Sequence, residues 1–211
     1  MAQTEGVIKY RLEFTQTSPP SGEELRELMA WRRMLYRLGL IGQDPSRYEG
    51  FGYGNISQRC EDEPGAFFIS GTQTGGIAEL SPGHYCRVVG SDPLGNHLLA
   101  QGAIQPSSEA LTHGVLYRLD PSIRVVMHVH SPELWRNAAA LGIPQTGASV
   151  PYGTPEMARE VARLYESATE AGKVLSMAGH QDGLVSFGAT AQEAGLVLVG
   201  LLARAWQEAP A

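Results

Sequence analysis

Lysine is nearly missing from this chain of 211 residues: of 16 lysines and arginines, only Lys9 and Lys173 are lysines, and no basic block occurs. With a formal net charge of -6, an electrostatic grip on nucleic acid or on an anionic membrane surface is excluded as an expectation. Cysteine is as scarce. Cys60 and Cys86 alone are too few for a disulfide framework, and the first residues lack the basic and then apolar segments of a secretory signal. A cytoplasmic location is expected. No apolar run approaches the roughly 18–20 residues needed to span a bilayer. What the chain does have is a hydrophobic content of 43%, enough for one cored domain over residues 1–211.

Residues Val7 to Phe14 alternate, with Ile8, Tyr10, Leu12 and Phe14 on one face and Lys9, Arg11 and Glu13 on the other. That is the pattern of a half-buried strand. Ser21 and Glu24 stand at capping-box spacing, and Leu25, Leu28, Met29, Leu35 and Leu38 recur at helical intervals up to Gly39. Between Gly50 and Gly76 glycine is dense, and Gly52-Tyr53-Gly54-Asn55-Ile56-Ser57 and Ile69-Ser70-Gly71-Thr72 read as loops joining short strands. A helix is expected from Ser107 or Ser108, then a buried strand over Ile123 to His130. Ser131-Pro132 and Thr154-Pro155 each read as an N-cap followed by proline at the first helical position. The second of these helices carries Met157, Val161, Leu164, Tyr165 and Ala168 on one stripe and stops at Gly172. Val174 to Met177 and Leu184 to Phe187 read as strands, and Thr190 with Glu193 opens a last helix through Trp206. Helices scattered among short strands predict a layered α/β domain.

The chemistry concentrates in two stretches, Ser107-Ser108-Glu109-Ala110-Leu111-Thr112-His113 and Val125-Val126-Met127-His128-Val129-His130. Alternate side chains of a strand share a face, so His128 and His130 project together. Neutral imidazole is the commonest metal ligand, and a third histidine with a carboxylate completes the kind of site zinc occupies. His180 and Glu109 offer those groups. Exposed backbone N–H groups in tight loops and at a helix N-terminus make an anion pocket without any lysine.

Gly54-Asn55-Ile56-Ser57, Ser70-Gly71 and Ser107-Ser108-Glu109, followed by His113, Tyr117, Asp120-Pro121, His128-Val129-His130 and a later histidine near a glycine, resemble the class II aldolase/adducin family. The match spans roughly Leu25 to Leu202. The resemblance implies a three-layer α/β/α sandwich with a mainly antiparallel central sheet. It also implies a divalent metal, usually Zn2+, held by His128, His130 and His180. Glu109 would ligate the resting metal or serve as acid/base. Asn55, Ser57, Ser70, Gly71, Ser107 and Ser108 would hold a substrate phosphate, and Tyr152 would occupy the place of a proton-donating tyrosine. Many members are cyclic homotetramers with sites between subunits, so a homotetramer is expected.

Two departures from the family pattern stand out. The third ligand region reads His180-Gln181-Asp182-Gly183, so Asp182 competes with His180; a three-imidazole set favours His180, with Asp182 orienting it. Thr72-Gln73-Thr74-Gly75-Gly76 extends the second loop on small polar residues, without a nearby cation. The expected function is a metal-dependent lyase that cleaves or forms a C–C bond in a small, anionic sugar phosphate or hydroxy-ketone through a metal-stabilised enediolate. Dehydration of a sugar phosphate and a non-enzymatic module like the adducin head are the alternatives. A cupin barrel using Glu133 is a further one, at odds with the several amphipathic helices.

Overall fold

The computed structural model describes residues 7–167 and 173–208. In chain order the first half contains β1 (Arg11–Gln16), α1 (Arg26–Arg37), β2 (Gly42–Gln43), β3 (Gly52–Tyr53), β4 (Asn55–Arg59), β5 (Phe67–Ser70), β6 (Tyr85–Asp92) and β7 (His97–Gly102). The second half adds α2 (Ala110–Leu119), β8 (Val125–His130), α3 (Pro132–Arg136), α4 (Pro155–Ser167), β9 (Val174–Ser176), β10 (Gly183–Gly188) and α5 (Ala191–Glu208).

Among the described residues, eight strands form one sheet in the order β1-β7-β6-β5-β4-β8-β10-β9. Every neighbouring pair is antiparallel except β1 with β7. The period-2 alternation of the strands sorts their side chains onto two faces. Ile56, Met127, Val129 and Leu184 pack with Leu28 and Leu35 of α1, Leu134 of α3 and Leu198 of α5. Phe67, Ile69, Val126 and Val185 pack with Leu111 and Val115 of α2 and Met157 and Val161 of α4. The result is the three-layer α/β/α arrangement with a mainly antiparallel sheet, and a jelly roll is ruled out.

β8 lies between β4 and β10, and all six of its residues are buried. A strand covered on both faces tolerates polar side chains only where they have partners. His128 and His130 share Val126's face, so they point toward the layer of α2 and α4, at the end of the strand. Asn55 of β4 and Val185 of β10 flank His128 in register.

Element boundaries differ from the sequence reading at informative places. β1 begins at Arg11 rather than Val7, because the Arg11 N–H bonds to the Asn96 carbonyl at 2.9 Å and the residues before it leave the ladder. Ser21 does not cap α1; its hydroxyl accepts from the Glu23 N–H at 3.2 Å, within a turn that precedes the helix. Ser131, Thr154 and Thr190 do accept from backbone N–H groups of Leu134, Met157 and Glu193. Ala168 and Gly172 lie outside the described residues.

Candidate metal centre

His180 sits in the turn between β9 and β10, held by bonds from its own N–H to the Met177 carbonyl and from the Gly183 N–H to its carbonyl, each 2.9 Å. Gly183 is needed for this placement: a Cβ there would lie 2.4 Å from His180 Cδ2. The turn brings the third imidazole against the two from β8. His130 Nε2 lies 3.1 Å from His128 Nε2 and 3.1 Å from His180 Nε2. The three rings form a buried group whose ligand atoms all fall within 4.8 Å of one another.

Those separations can be compared with what zinc requires. Bonds of about 2.0–2.1 Å at tetrahedral angles put ligand nitrogens roughly 3.3 Å apart. The protonation state fits as well. Burial pushes the His128 imidazole down to about 4 and holds His130 and His180 well below the ordinary value of 6.5. All three are therefore neutral near pH 7, as metal donors must be. His128 Nδ1 lies 3.0 Å from the Leu184 carbonyl, to which it donates, leaving the Nε2 lone pair directed into the cluster. The residues present fit a divalent metal ion.

Aromatic rings wall the cluster. Tyr48 stands edge-on to the His130 ring at 4.7 Å, Tyr53 lies 5.4 Å from it, and the Tyr152 ring is 4.5 Å from that of His180. Asp182 stands outside the group: its carboxylate accepts from the Tyr48 hydroxyl at 2.7 Å and lies 3.7 Å from the Arg47 guanidinium. It braces Tyr48, where the sequence reading had it orient His180.

Glu109 is also outside the three-histidine group. It immediately precedes α2 and is 1% exposed, with one carboxyl oxygen accepting from Thr112 at 3.0 Å and the other, Oε1, buried without a hydrogen-bond partner. Burial pushes its carboxyl up to about 7, against the bond from Thr112 and the charge of Lys9. Such a group can exchange a proton near neutral pH.

The glycine loops and the serine pair meet in a small polar pocket lined by Gly52, Gly54, Asn55, Gly71, Thr72 to Gly75, Ser107 and Ser108. Four of the six residues expected to hold phosphate, Asn55, Gly71, Ser107 and Ser108, are therefore together. Ser57 and Ser70 are not in that lining. Ser57 lies one pleat further along β4, where its hydroxyl bonds His113 Nδ1 at 2.7 Å and the Tyr117 hydroxyl at 2.8 Å. Ser70 Oγ accepts from the Ile56 N–H at 3.2 Å, a bond within the sheet. Asn55 Oδ1, in contrast, is buried without a partner.

One residue that builds this pocket escaped the sequence reading. Arg32 of α1 is 1% exposed, and its guanidinium donates to the carbonyls of Thr74 and Gly75 at 2.9 Å, of Ala78 at 3.0 Å, and of Ile77. It fastens the long second loop from beneath. The available signal was its position on the buried stripe of α1 between Leu28 and Leu35.

The profile of the class II aldolase and adducin N-terminal domain matches residues 26–205. The chain belongs to that family. A search of curated protein sequences finds no match. Among solved structures, the chain is similar to YgbL from Escherichia coli, a candidate aldolase/epimerase/decarboxylase, at 22% identity and a TM-score of 0.62, covering 88% of each chain. It is similar to L-fuculose-1-phosphate aldolase from Thermus thermophilus at 20% identity and a TM-score of 0.59, covering 90% of this chain and 100% of that one. A sugar-phosphate aldolase from Thermotoga maritima matches at 17% identity and a TM-score of 0.62, with 90% and 97% covered. At these identities the likeness concerns the fold. No helix of the described residues is long and apolar enough to cross a membrane.

Proposed function

We propose that this class II aldolase family member is a metal-dependent lyase that cleaves or forms a C–C bond in a small sugar phosphate or related hydroxy-ketone. The observation that carries the reading is the convergence of three neutral, buried imidazoles on one point; Glu109, a buried carboxyl group raised to about 7, is the candidate acid/base. His128, His130 and His180 would hold the ion. A divalent cation there, with zinc best suited to three nitrogen donors and an open position, would supply the Lewis acidity that eases formation of an enediolate. Glu109 would take and return the proton at its unpartnered Oε1, acting as acid/base outside the ligand set. The pocket of Asn55, Gly71, Ser107 and Ser108 would bind the anionic end of the substrate through backbone N–H groups and hydroxyls. Tyr152, fully buried with its ring against that of His180, walls the site, and its hydroxyl is the candidate proton donor. A cytoplasmic homotetramer with no nucleic-acid or membrane partner completes the reading.

Dehydration, epimerisation and decarboxylation of such substrates draw on the same acid/base and Lewis-acid parts. The three-histidine cluster favours all of these over a non-enzymatic module, for which buried, converging nitrogens have no use. Metal content by plasma mass spectrometry, in wild type and in His128→Ala, His180→Ala and Asp182→Ala, is the test. Near-stoichiometric metal that disappears in the histidine variants and persists in Asp182→Ala supports the site, and a screen of sugar phosphates for cleavage then identifies the reaction. Wild type without metal after reconstitution overturns the enzyme reading.

A further inference from the structure

The match to the family profile begins at residue 26, yet two residues well before it reach the site. β1 runs parallel to β7 at the edge of the sheet, and its approach segment is fixed by the Asn96 side chain, which donates to the Lys9 carbonyl at 3.1 Å. Tyr10 is buried, and its hydroxyl donates to the Ser107 carbonyl at 2.8 Å, at the start of the Ser-Ser-Glu turn. Lys9, half-buried, turns to Tyr152. Its ammonium lies 3.4 Å from the centre of the Tyr152 ring and donates to the Tyr152 carbonyl at 3.3 Å. The same Tyr152 ring packs on His180 at 4.5 Å.

We propose that this N-terminal segment forms part of the active site, with Lys9 supplying the cation that contacts an anionic oxygen of the substrate beside the histidine cluster. The inference rests on the function proposed above and names the group that recognises charge at the reacting end. Three observations support it. The polar pocket made by the loops is lined by glycines and neutral side chains, and the Arg32 guanidinium beneath it is taken up by loop carbonyls, so none of its lining residues is cationic. Arg47, the other cation near the cluster, is engaged by the Tyr48 hydroxyl and faces Asp182. The Lys9 ammonium sits on the Tyr152 ring, and that ring packs on His180, so a single aromatic ring links the cation to the histidine cluster. An ammonium carries three N–H donors and serves several acceptors at once, a ring face among them. Gly153, with φ +65°, lets the chain turn here; a Cβ at this position would lie 3.8 Å from Lys9 Cδ and 3.4 Å from the Ser108 carbonyl.

Glycolate, the smallest hydroxycarboxylate, is the probe. Calorimetric titration of glycolate into zinc-loaded wild type, Lys9→Met and Lys9→Arg is run with metal content and melting temperature measured on the same samples. The expected result is glycolate binding weakened by about tenfold or more in Lys9→Met and largely restored in Lys9→Arg, as for removal of one partner of a charge-assisted contact. Metal stoichiometry stays the same in all three proteins. Unchanged glycolate affinity in fully metallated Lys9→Met overturns this inference and leaves the proposed function standing. Loss of metal in Lys9→Met also overturns it, because Lys9 would then support the ligands and not the substrate. Wild type that takes up no metal overturns the proposed function, and this inference with it.

Discussion

The Tyr48 hydroxyl and the Asp182 carboxylate, 134 positions apart in sequence, meet at 2.7 Å, and both residues hold a left-handed backbone, with φ +50° and +62°. Each such non-glycine conformation costs on the order of 1–2 kcal/mol and persists where the surroundings over-determine it. Here the hydrogen bond, and the Tyr48 ring against His130, supply that constraint at the edge of the cluster. Tyr48→Phe removes the donor and is expected to cost about 1–2 kcal/mol in urea unfolding. Asp182→Ala should cost a similar amount while keeping metal. Metal loss in Asp182→Ala equal to that in His180→Ala would put the carboxylate among the ligands.

Gly183 offers a way to disturb His180 without removing it. A methyl group at this position would sit 2.4 Å from His180 Cδ2 and 3.2 Å from Cγ, closer than real contacts allow. The ring must then swing off the cluster, because the turn that carries it is tied at both ends. Gly183→Ala is expected to lower metal affinity about 10–100-fold, the scale seen when supports of a metal ligand are removed. Competition with a fluorescent zinc chelator measures this, and unchanged affinity would show that the turn can shift as a unit.

The layered fold and the histidine pair were readable because they depend on local pattern. Alternation in Val125 to His130 puts both imidazoles on one face whatever the rest of the chain does. His180 was one histidine candidate for the third place, favoured over Asp182 by the resemblance, and the structure places it with the other two through a turn that no periodicity encodes. Ser57, named with Asn55 through the same resemblance, lies one pleat deeper on β4 and bonds His113 and Tyr117, partners that only the assembled sheet and α2 define. Arg32 and the contacts of Lys9 and Tyr10 were invisible, since their partners are backbone carbonyls whose positions only the assembled loops define.

The proposed function gives Glu109 the proton-transfer role, and burial pushes its carboxyl up to about 7. A general base works ionised, so kcat/KM for the reaction identified by the substrate screen is expected to rise with pH through a midpoint near that value. Glu109→Gln keeps the shape of the side chain and the bond from Thr112 but cannot take a proton. It should retain metal and lose about 10²–10⁴-fold in kcat, together with the pH-dependent limb. Full activity in Glu109→Gln would transfer the role to another group.

Stability of the metal-free protein should be lost on the acid side. The ordinary histidine value is 6.5, and burial lowers that of His128 to about 4, with His113, His130 and His180 shifted in the same direction. Below 6.5 the unfolded chain takes up protons that the folded chain refuses, so the stability present above that pH declines as pH falls toward 4. His128 alone contributes about 3 kcal/mol by this route. Glu109 acts with the opposite sign: its raised value lends stability at low pH that is lost between its ordinary 4.5 and about 7. Four imidazoles outweigh one carboxyl group. The melting temperature of chelator-treated protein is therefore expected to fall steeply from pH 6.5 to pH 5, and His128→Ala should show a shallower slope. A flat profile over that range would mean that the imidazoles protonate within the folded state, and the neutral donor set required for metal binding would not exist as described.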